Sequence, residues 1–461
     1  MSNSEELSDL RNQIKKVTNE IIRLVHNRME IAKRIGNVKQ ELSIDVEDEQ
    51  VENDIKESII KLAKELGMDL EFSGKLLNIL LLESVKVQNR KSDSHKISPH
   101  MAVFMKAKEM ENLGQNIFHL EVGEPDYAPP LSVRNELLKI YDDKKYHYTE
   151  ISGIPRLRNA IAERIGFGTN SEQVLVTPGG RFAVFCAITS LLKPGDELIN
   201  IEPSWPAYKE CADFIGVKIR SLKTSLEDKW IPNVSKLENL LNANTKMIIL
   251  NYPNNPTGKI LPKHILDKIV SISKDYNLFL LSDEVYSAYS FVDFTSLLEY
   301  ECSKKITISS FSKTFGMTGF RVGYAISDKE IIRKMSSVQA TSITSVAEPM
   351  QYCALMALES TIHDNVDLVK SRIDLITKRI RKMRTEFVYP DGAMYVYPKI
   401  LSDVYKSDMA LVKKLLENGV AIAPGSGFGS FYKHFIRISA CQPETVLNQG
   451  LDIMERILTQ G

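Results

Sequence analysis

The chain has 461 residues, of which 43% are hydrophobic and 26% are charged, so it is long enough for two or three globular domains. Basic and acidic residues number 59 each, a balance that does not favour binding to nucleic acid or to a membrane surface. The five cysteines are scattered and never spaced as C-x-x-C, which argues against disulfides and a zinc site. With a polar N-terminus and no long apolar run, these features predict a cytoplasmic protein that needs no metal and acts on small molecules.

The first ninety residues have the apolar spacing of helices. Apolar side chains recur in alternating steps of three and four from Leu7 to Leu42, with Arg28 at one position of this seam. The spacing predicts one helix of about 36 residues. Two more helices are predicted at about Asp48 to Leu66 and about Phe72 to Gln88. Because so long a helix leaves its seam uncovered in a compact monomer, we expect a second copy of the chain to cover it.

Polar residues interrupt these helices at regular intervals. Arg28 and Lys39 are three helical turns apart and share a face, whereas Arg11 points elsewhere, as a residue reaching a partner's site would. Ser84 and Gln88 form an i, i+4 pair on the third helix. Converging cations and a hydrogen-bonding pair would make a pocket for a dicarboxylate. The same pattern fits a helical dimerisation arm whose arginine reaches solvent, and the spacing leaves both interpretations open.

Several short motifs in this region resemble those of the all-helical chorismate mutase domain, over nearly all of residues 5–91. They are Leu10-Arg11, Asn27–Glu30, Gly36–Lys39, Asp48 with Glu52, and Glu83–Val85 with Gln88. The resemblance implies an intertwined dimer that rearranges chorismate to prephenate without a covalent intermediate. The pocket residues it implies are Arg28, Lys39, Asp48, Glu52, Ser84 and Gln88 of one chain and Arg11 of the other.

Within that implied pocket, Lys39 and Gln88 would stabilise the charge that develops on the breaking ether oxygen. One departure is that Val51 stands where the family usually has an arginine. An alternative therefore remains, in which the helical domain is a non-catalytic dimerisation or effector-binding module.

A short polar stretch from Asn89 to His100, which includes Pro99, predicts a linker with the domain boundary near residue 95. We assign residues 1–91 to the helical domain, 92–100 to the linker and 101–461 to a second module. Within that module we expect a large domain at about 135–330 and a small domain built from about 101–134 plus 331–461.

Beyond the linker, short apolar runs alternate with helical segments. The runs are Val174–Thr177, Glu197–Ile201, Met247–Leu250, Leu278–Leu281 and Lys305–Ser309. Each ends in a polar or glycine- and proline-rich segment, which indicates a doubly wound α/β sheet with a ligand site at the strand ends. After the first run, Gly179, Gly180 and Arg181 precede a predicted helix from Phe182 to Leu192, an arrangement that favours phosphate binding.

One lysine lies among small and apolar residues in the stretch Ser309–Gly323. Desolvation there is expected to lower the pKa of Lys313, so that the amine can be uncharged and form an imine. The hydroxyls of Ser310 and Ser312 and the cation of Arg321 suit a phosphate held beside it. Together these residues predict pyridoxal phosphate as the cofactor.

Polar and aromatic groups at other predicted strand ends fit the same cofactor. Trp205 offers a surface for a flat ring, Asn255 a donor for a phenolate oxygen, and Asp283 a carboxylate to keep a pyridine nitrogen protonated. Each alone could be a turn residue or a satisfied core polar group. Their occurrence in one chain with the lysine stretch favours a shared site.

Residues 98–461 resemble fold-type I aminotransferases of the aspartate and aromatic class. The matching motifs are Gly123–Asp126, Asn255–Gly258, Ser310–Lys313 and Phe435–Ser439. The resemblance implies a large doubly wound domain, a small α+β domain and a homodimer or higher homo-oligomer.

The resemblance also implies roles for individual residues. Lys313 would hold the cofactor and shuttle the substrate proton, Asp283 would pair with the ring nitrogen, and Asn255 and Tyr286 would bond the ring oxygen, while Trp205 stacks on the ring. The implied phosphate ligands are Gly179, Gly180, Arg181, Ser310, Ser312 and Arg321, with Tyr148 reaching the partner subunit's phosphate. Arg437, assisted by Gly123 and Asn255, would bind the substrate α-carboxylate.

These features predict a bifunctional enzyme of aromatic amino-acid synthesis. The amino donor would be aspartate or glutamate, and the acceptor prephenate, an aromatic 2-oxo acid or oxaloacetate. A transcription regulator with an aminotransferase-like sensor is a third reading. It is disfavoured because residues 1–95 hold 15 basic and 18 acidic residues, a net formal charge of −3, and show no helix-turn-helix pattern.

Overall fold

A computed structural model of the chain describes residues 3–41, 49–89, 98–402 and 404–459. The chain divides into two compact units, Met1–Ile97 and Ser98–Gly461. Asp48 and most of the predicted linker lie outside the described residues. No described helix combines the length and the apolar run that a membrane span requires.

The N-terminal unit is built from three helices in its described part: α1 (Asn3–Glu41), α2 (Glu49–Glu65) and α3 (Leu70–Asn89). The helix α3 packs against both others, and Gly67 adopts a left-handed φ of 66° just after α2, as a helix-ending glycine does. Much of the α1 seam is exposed in the single chain. Its members include Leu10, Ile14, Val17, Ile21 and Leu24, each more than half exposed. The expectation that a second copy covers this seam stays a prediction.

The C-terminal unit alternates helices and strands. Its helices are α4 (Pro99–Asn112), α5 (Leu131–Lys139), α6 (Pro155–Ile165), α7 (Gly180–Leu191), α8 (Ala207–Ile215), α9 (Val234–Asn239), α10 (Lys263–Asp275), α11 (Phe311–Thr314), α12 (Lys329–Ser342), α13 (Glu348–Ala357), α14 (His363–Ile380), α15 (Asp408–Glu417) and α16 (Glu444–Thr459). Its strands are β1 (Phe118–His119), β2 (Val174–Thr177), β3 (Glu197–Glu202), β4 (Lys218–Lys223), β5 (Thr245–Asn251), β6 (Phe279–Asp283), β7 (Lys305–Ser310), β8 (Gly323–Ser327), β9 (Thr385–Glu386), β10 (Tyr395–Val396), β11 (Lys399–Ile400), β12 (Val420–Ala421), β13 (Ala423–Pro424) and β14 (Ile436–Ser439).

The large sheet lies within residues 98–402 and has the strand order β2-β8-β7-β6-β5-β3-β4. The strand β8 runs antiparallel to β2 and β7 on either side of it, and the other neighbouring pairs of this sheet are parallel. Successive residues of a strand lie on opposite faces of the sheet. In β5, Met247 belongs to the core that includes α7 and α12, and Ile248 belongs to the core that includes α10. This burial on both faces explains the continuous apolar runs of the sequence and confirms the predicted doubly wound sheet.

Smaller sheets join segments that precede and follow the large sheet in sequence, and the predicted bounds of the large and small domains stay a prediction. The strand β1 pairs in parallel with β12, and β14 lies between β10 and β13. The Ser439 N–H donates to the Leu120 carbonyl at 2.9 Å, so the segment after β1 runs beside β14. This pairing brings Glu121 and Arg437 into contact although they are far apart in sequence.

Candidate active site

Lys313 belongs to α11, the short helix that directly follows β7. Its Nζ donates to the Gly123 carbonyl at 2.6 Å. The hydroxyls of Tyr127 and Tyr289 donate to the Lys313 backbone carbonyl at 2.7 and 3.0 Å and so hold the short helix in place. Burial lowers the pKa of the Lys313 amine, as the sequence predicts, and the nearby cation of Arg437 acts in the same direction. The lysine is therefore suited to react as a neutral amine.

A cavity of about 200 Å³ surrounds this lysine at the carboxyl ends of β5, β6 and β7. The predicted site residues that line it are Gly180, Arg181, Trp205, Asn255, Asp283, Tyr286, Ser310, Ser312, Lys313 and Arg321. The parallel register explains this convergence, because Asn251 at the end of β5 pairs with Asp283 at the end of β6.

The carboxylate of Asp283 is almost fully buried at the floor of the cavity. The Tyr208 hydroxyl donates to its Oδ2 at 2.6 Å, and the Val285 N–H donates to its Oδ1 at 3.4 Å. Burial raises the pKa of Asp283 to about 6, in opposition to both hydrogen bonds. A cationic ring nitrogen placed beside this carboxylate would stabilise its charged form.

Three glycines lie at the opposite end of the cavity: Gly179 and Gly180, where β2 turns into α7, and Gly323 at the start of β8. Gly179 has a φ of 85°, and a Cβ there would lie 2.5 Å from Nη2 of Arg321. A Cβ on Gly323 would lie 2.6 Å from the Gly180 backbone nitrogen. The helix α7 starts at Gly180, two residues before the predicted start, because the glycine pair forms its first turn. The N–H groups of a first helical turn have no partner within the helix, and Gly180 and Arg181 of this turn line the cavity.

Hydroxyl groups and a cation complete this end of the cavity. Ser310 caps α11 by accepting from the Ser312 N–H at 3.1 Å. Arg321 has a left-handed φ of 54° and donates to the Thr318 carbonyl at 2.8 Å, which holds its guanidinium at the cavity rim. Free N–H groups, hydroxyls and a guanidinium suit a phosphate, and the buried carboxylate of Asp283 suits a pyridine nitrogen. The residues present therefore fit pyridoxal phosphate.

Arg181 lines the cavity, and its expected phosphate contact stays a prediction. Its guanidinium lies 5.4 Å from the centre of the Trp205 ring and forms an ion pair with Glu210. An exposed guanidinium is stabilised by a carboxylate and by a ring face, which explains this orientation. Trp205 itself meets Tyr208 edge-on at 5.6 Å.

Arg437 is buried on β14 beside the cavity. Its Nη1 donates to Asn255 Oδ1 at 2.9 Å, and its Nη2 donates to the Glu121 carbonyl. Its Nε is buried without a hydrogen-bond partner among the described residues. The guanidinium carbon lies 4.3 Å from the centre of the Tyr395 ring. A buried cation with an unused donor is suited to bind a carboxylate.

Tyr286 lines the cavity beside a second tyrosine, and its expected contact with the ring oxygen stays a prediction. The hydroxyls of Tyr286 and Tyr395 share a hydrogen bond at 2.7 Å. A Cβ on Gly123 would lie 1.9 Å from the Tyr395 hydroxyl, so only glycine allows this approach. Sequence reasoning gave no site role to Tyr127, Tyr208, Tyr289 or Tyr395. None of the four belongs to a motif from which the site was predicted, although Tyr127 directly follows the Gly123–Asp126 motif.

Tyr148 is 90% exposed and does not line the cavity of its own chain. Its loop is fixed by Gln351, whose Nε2 donates to Thr149 Oγ1 at 2.9 Å. The expected contact of Tyr148 with a partner subunit stays a prediction.

In the helical unit, the structure brings together two of the predicted pocket residues. Arg28 Nη1 donates to the Leu80 carbonyl at 2.8 Å and to Ser84 Oγ. Lys39 is half-buried and Arg11 is exposed. The side chains of Glu52, Val51 and Gln88 lie outside the described residues.

Comparison with known families gives two matches. Residues 115–452 match the model of aminotransferase class I and II, and residues 10–89 match that of chorismate mutase type II. Both matches confirm the resemblances drawn from the motifs.

Individual relatives match the second module almost end to end. An aspartate aminotransferase of Thermotoga maritima is 34% identical, covering 78% of this chain and 97% of that protein. An aspartate/prephenate aminotransferase of Thermus thermophilus is 31% identical, covering 80% and 98%. The crystal structure of an aromatic aminotransferase from Pyrococcus horikoshii matches with a TM-score of 0.72 at 29% identity, covering 77% and 99%. The chain thus belongs to the pyridoxal-phosphate-dependent class I and II aminotransferases and carries a chorismate mutase type II domain before the aminotransferase domain.

Proposed function

We propose that the chain catalyses two successive reactions, the rearrangement of chorismate to prephenate and the transfer of an amino group from aspartate or glutamate to prephenate. The observation that carries the proposal is the joining of both domains in one chain, since the product of the first is a 2-oxo acid. The similarity to an aspartate/prephenate aminotransferase supports prephenate as the acceptor.

In the aminotransferase domain, each proposed role follows from a contact. Pyridoxal phosphate, when bound, supplies the electron sink that makes the substrate α-proton removable. Arg437 binds the substrate α-carboxylate through its unused donors, with Asn255 fixing the guanidinium plane. Lys313 accepts and returns the α-proton, and burial lowers its pKa, a change that favours the neutral amine this role requires. Asp283 holds the positive charge on the ring nitrogen.

In the helical domain, the contact of Arg28 with Ser84 supports a pocket between α1 and α3. The rearrangement requires no proton transfer, so the protein needs only to select a compact conformer and stabilise developing charge. Lys39, three turns after Arg28 on α1, is proposed to provide that stabilisation.

The test is to incubate the purified chain with chorismate, pyridoxal phosphate and either aspartate or glutamate, and to separate the products at neutral pH. Arogenate, the amino acid derived from prephenate, is the expected product. Prephenate that accumulates without arogenate would assign the aminotransferase to another 2-oxo acid. Unchanged chorismate would instead identify the helical domain as a non-catalytic module, with Val51 as the relevant departure.

Lys39→Ala is expected to lower the rate of chorismate rearrangement by about 100-fold or more, because a preorganised charge facing the transition state is lost. The rate of amino transfer, measured with an aromatic 2-oxo acid as the acceptor, should be unchanged. Lys61→Ala on α2 is the control and should alter neither rate. If Lys39→Ala leaves rearrangement intact, Lys39 is not in the mutase site.

Arg437→Lys is expected to lower kcat/KM about 10- to 100-fold for every amino donor, mostly through KM, because all donors share the α-carboxylate and an ammonium cannot form the paired contact. Arg379→Lys on α14 is the control, since Arg379 pairs with Asp452 and Glu455 outside the cavity. An effect confined to one donor would show that Arg437 reads a side chain instead.

A further inference from the structure

A network of charged side chains connects α4 to residues 119–123, the segment that leads into the active site. His119 Nδ1 lies 2.7 Å from Glu121 Oε1, and its Nε2 lies 3.0 Å from Oε1 of Glu111 in the last turn of α4. The N–H direction at Nε2 does not point at the Glu111 oxygen, so these two atoms are close but not hydrogen-bonded. Glu111 also pairs with Lys108 at 2.8 Å. The Glu121 side chain is only 2% exposed and that of His119 14% exposed.

The geometry favours a charged imidazole. The ring of His119 lies between two carboxylates, with Nδ1 hydrogen-bonded to Glu121 and Nε2 3.0 Å from Glu111 Oε1, and two neighbouring anions favour the cationic imidazolium. The hydrogen bond to Glu121, together with the negative charge of Glu121 and Glu111, raises the pKa of His119 above its ordinary value of 6.5, although burial opposes the change. Burying the Glu121 carboxylate without this cation would be unfavourable. No group of histidine, cysteine, aspartate or glutamate side chains in the described ranges is arranged to hold a metal ion, so the cluster is an ion-pair network.

The backbone of the same segment contacts two active-site side chains. The Glu121 carbonyl accepts from Nη2 of Arg437, and the Gly123 carbonyl accepts from Nζ of Lys313 at 2.6 Å. The residue that carries the buried side chain of Glu121 thus also provides a carbonyl that accepts from Arg437. His119 is the described residue that donates to that side chain.

We propose that His119 is a positioning residue for substrate binding: its charged ring fixes Glu121 to α4 and thereby sets the carbonyl that orients Arg437. The proposal rests on the proposed role of Arg437 in binding the substrate carboxylate. It gives substrate affinity a pH dependence that originates outside the cavity.

The direction of this dependence follows from the raised pKa. The stabilisation by His119 is fully present below the ordinary histidine value of 6.5 and is lost as the pH rises through the higher value in the folded protein. The charged groups that face the ring are Glu121 from its own segment and Glu111, with its partner Lys108, from α4. We therefore expect KM for the amino donor to rise, with a smaller change in kcat, as His119 loses its proton.

The experiment measures KM and kcat of the pyridoxal-phosphate-loaded chain from pH 6 to 9 in wild type and His119→Gln. At pH 6 the variant should show a KM about three- to tenfold above wild type, and at high pH the two values should converge. The ratio of the two KM values removes the titration of the donor's own amino group. A ratio that stays constant with pH would overturn the proposal.

A second variant keeps the test decisive if His119→Gln folds poorly. Glu111→Gln removes one of the two anions and should move the KM inflection to lower pH without changing its low-pH plateau. Glu109→Gln is the matched control, because Glu109 is on the same helix but pairs with Lys106 at 2.9 Å. An inflection that stays in place in Glu111→Gln would contradict the assignment to His119.

A direct readout comes from the carbon-bound ring protons of the histidines in NMR spectra of the full chain. The His119 signal, assigned by its absence from His119→Gln, should titrate above pH 6.5 in wild type and at lower pH in Glu111→Gln. If these shifts occur while Arg437→Lys leaves KM unchanged, the proposed role of Arg437 is wrong. If Arg437→Lys raises KM while His119→Gln has no effect, only the positioning role is wrong.

Discussion

Replacing Lys313 by alanine is expected to abolish amino transfer while chorismate rearrangement continues at the wild-type rate. In the proposed mechanism the amine of Lys313 is the nucleophile and proton carrier of the cavity, and proton transfer by a positioned group alone contributes about 100- to 10,000-fold. The loss should therefore exceed about 10,000-fold, since the covalent anchor of the cofactor disappears as well.

Two measurements check this result. The absorption spectrum of the variant with pyridoxal phosphate should resemble that of the free cofactor, and the consumption of chorismate should be unchanged. Lys304→Ala is the control, because Lys304 precedes β7 and donates to the Asn277 carbonyl outside the cavity. Amino transfer that persists in Lys313→Ala would refute the assignment of Lys313.

Replacing Asp283 by asparagine is expected to lower kcat for amino transfer by about 100- to 1,000-fold, the size of effect seen when one preorganised electrostatic group is lost. Asparagine retains the shape and an acceptor for the Tyr208 hydroxyl, but it provides no charge to a ring nitrogen. Because the ring nitrogen then loses its counter-ion, binding of the cofactor should also weaken. Equilibrium titration with pyridoxal phosphate measures that change.

Glu284→Gln is the matched control for this substitution. Glu284 is the next residue, is equally buried, and accepts from Ser282 and Ser296 hydroxyls and the Leu297 N–H away from the cavity. Burial raises its pKa to about 7, so it too is a perturbed carboxyl. An equal loss of kcat in Glu284→Gln would show that the effect arises from the strand end as a whole and not from Asp283 facing the cofactor.

Local sequence patterns predicted the helices and strands well. The predicted strand at Val174–Thr177 has the observed bounds, and the four other predicted runs differ by one or two residues at their ends, whereas β4 and β8 were not predicted. These segments are buried on both faces, so an apolar run bounded by polar or glycine residues was a sufficient signal. The first helix was likewise predicted from its seam, because helical periodicity is a property of neighbouring residues.

The principal site residues could also be predicted, since each belongs to a short motif at a strand end. Lys313, Asp283 and Asn255 line one cavity because parallel strands present their carboxyl ends at one edge. The direction of a long side chain was less predictable. Arg181 lies over Trp205 and pairs with Glu210, a residue on another helix that no local pattern connects to it.

The sequence by itself determined the two domain families, the cofactor and the residues at the strand ends, because these depend on local periodicity and short motifs. Only the tertiary structure decided which backbone and tyrosine groups orient those residues. Glu121 and Arg437, for example, are separated by 316 positions and meet through the pairing of β1 with β12 and the packing of that segment on β14. Contacts of this kind arise from how segments pack, and no window of neighbouring residues encodes them.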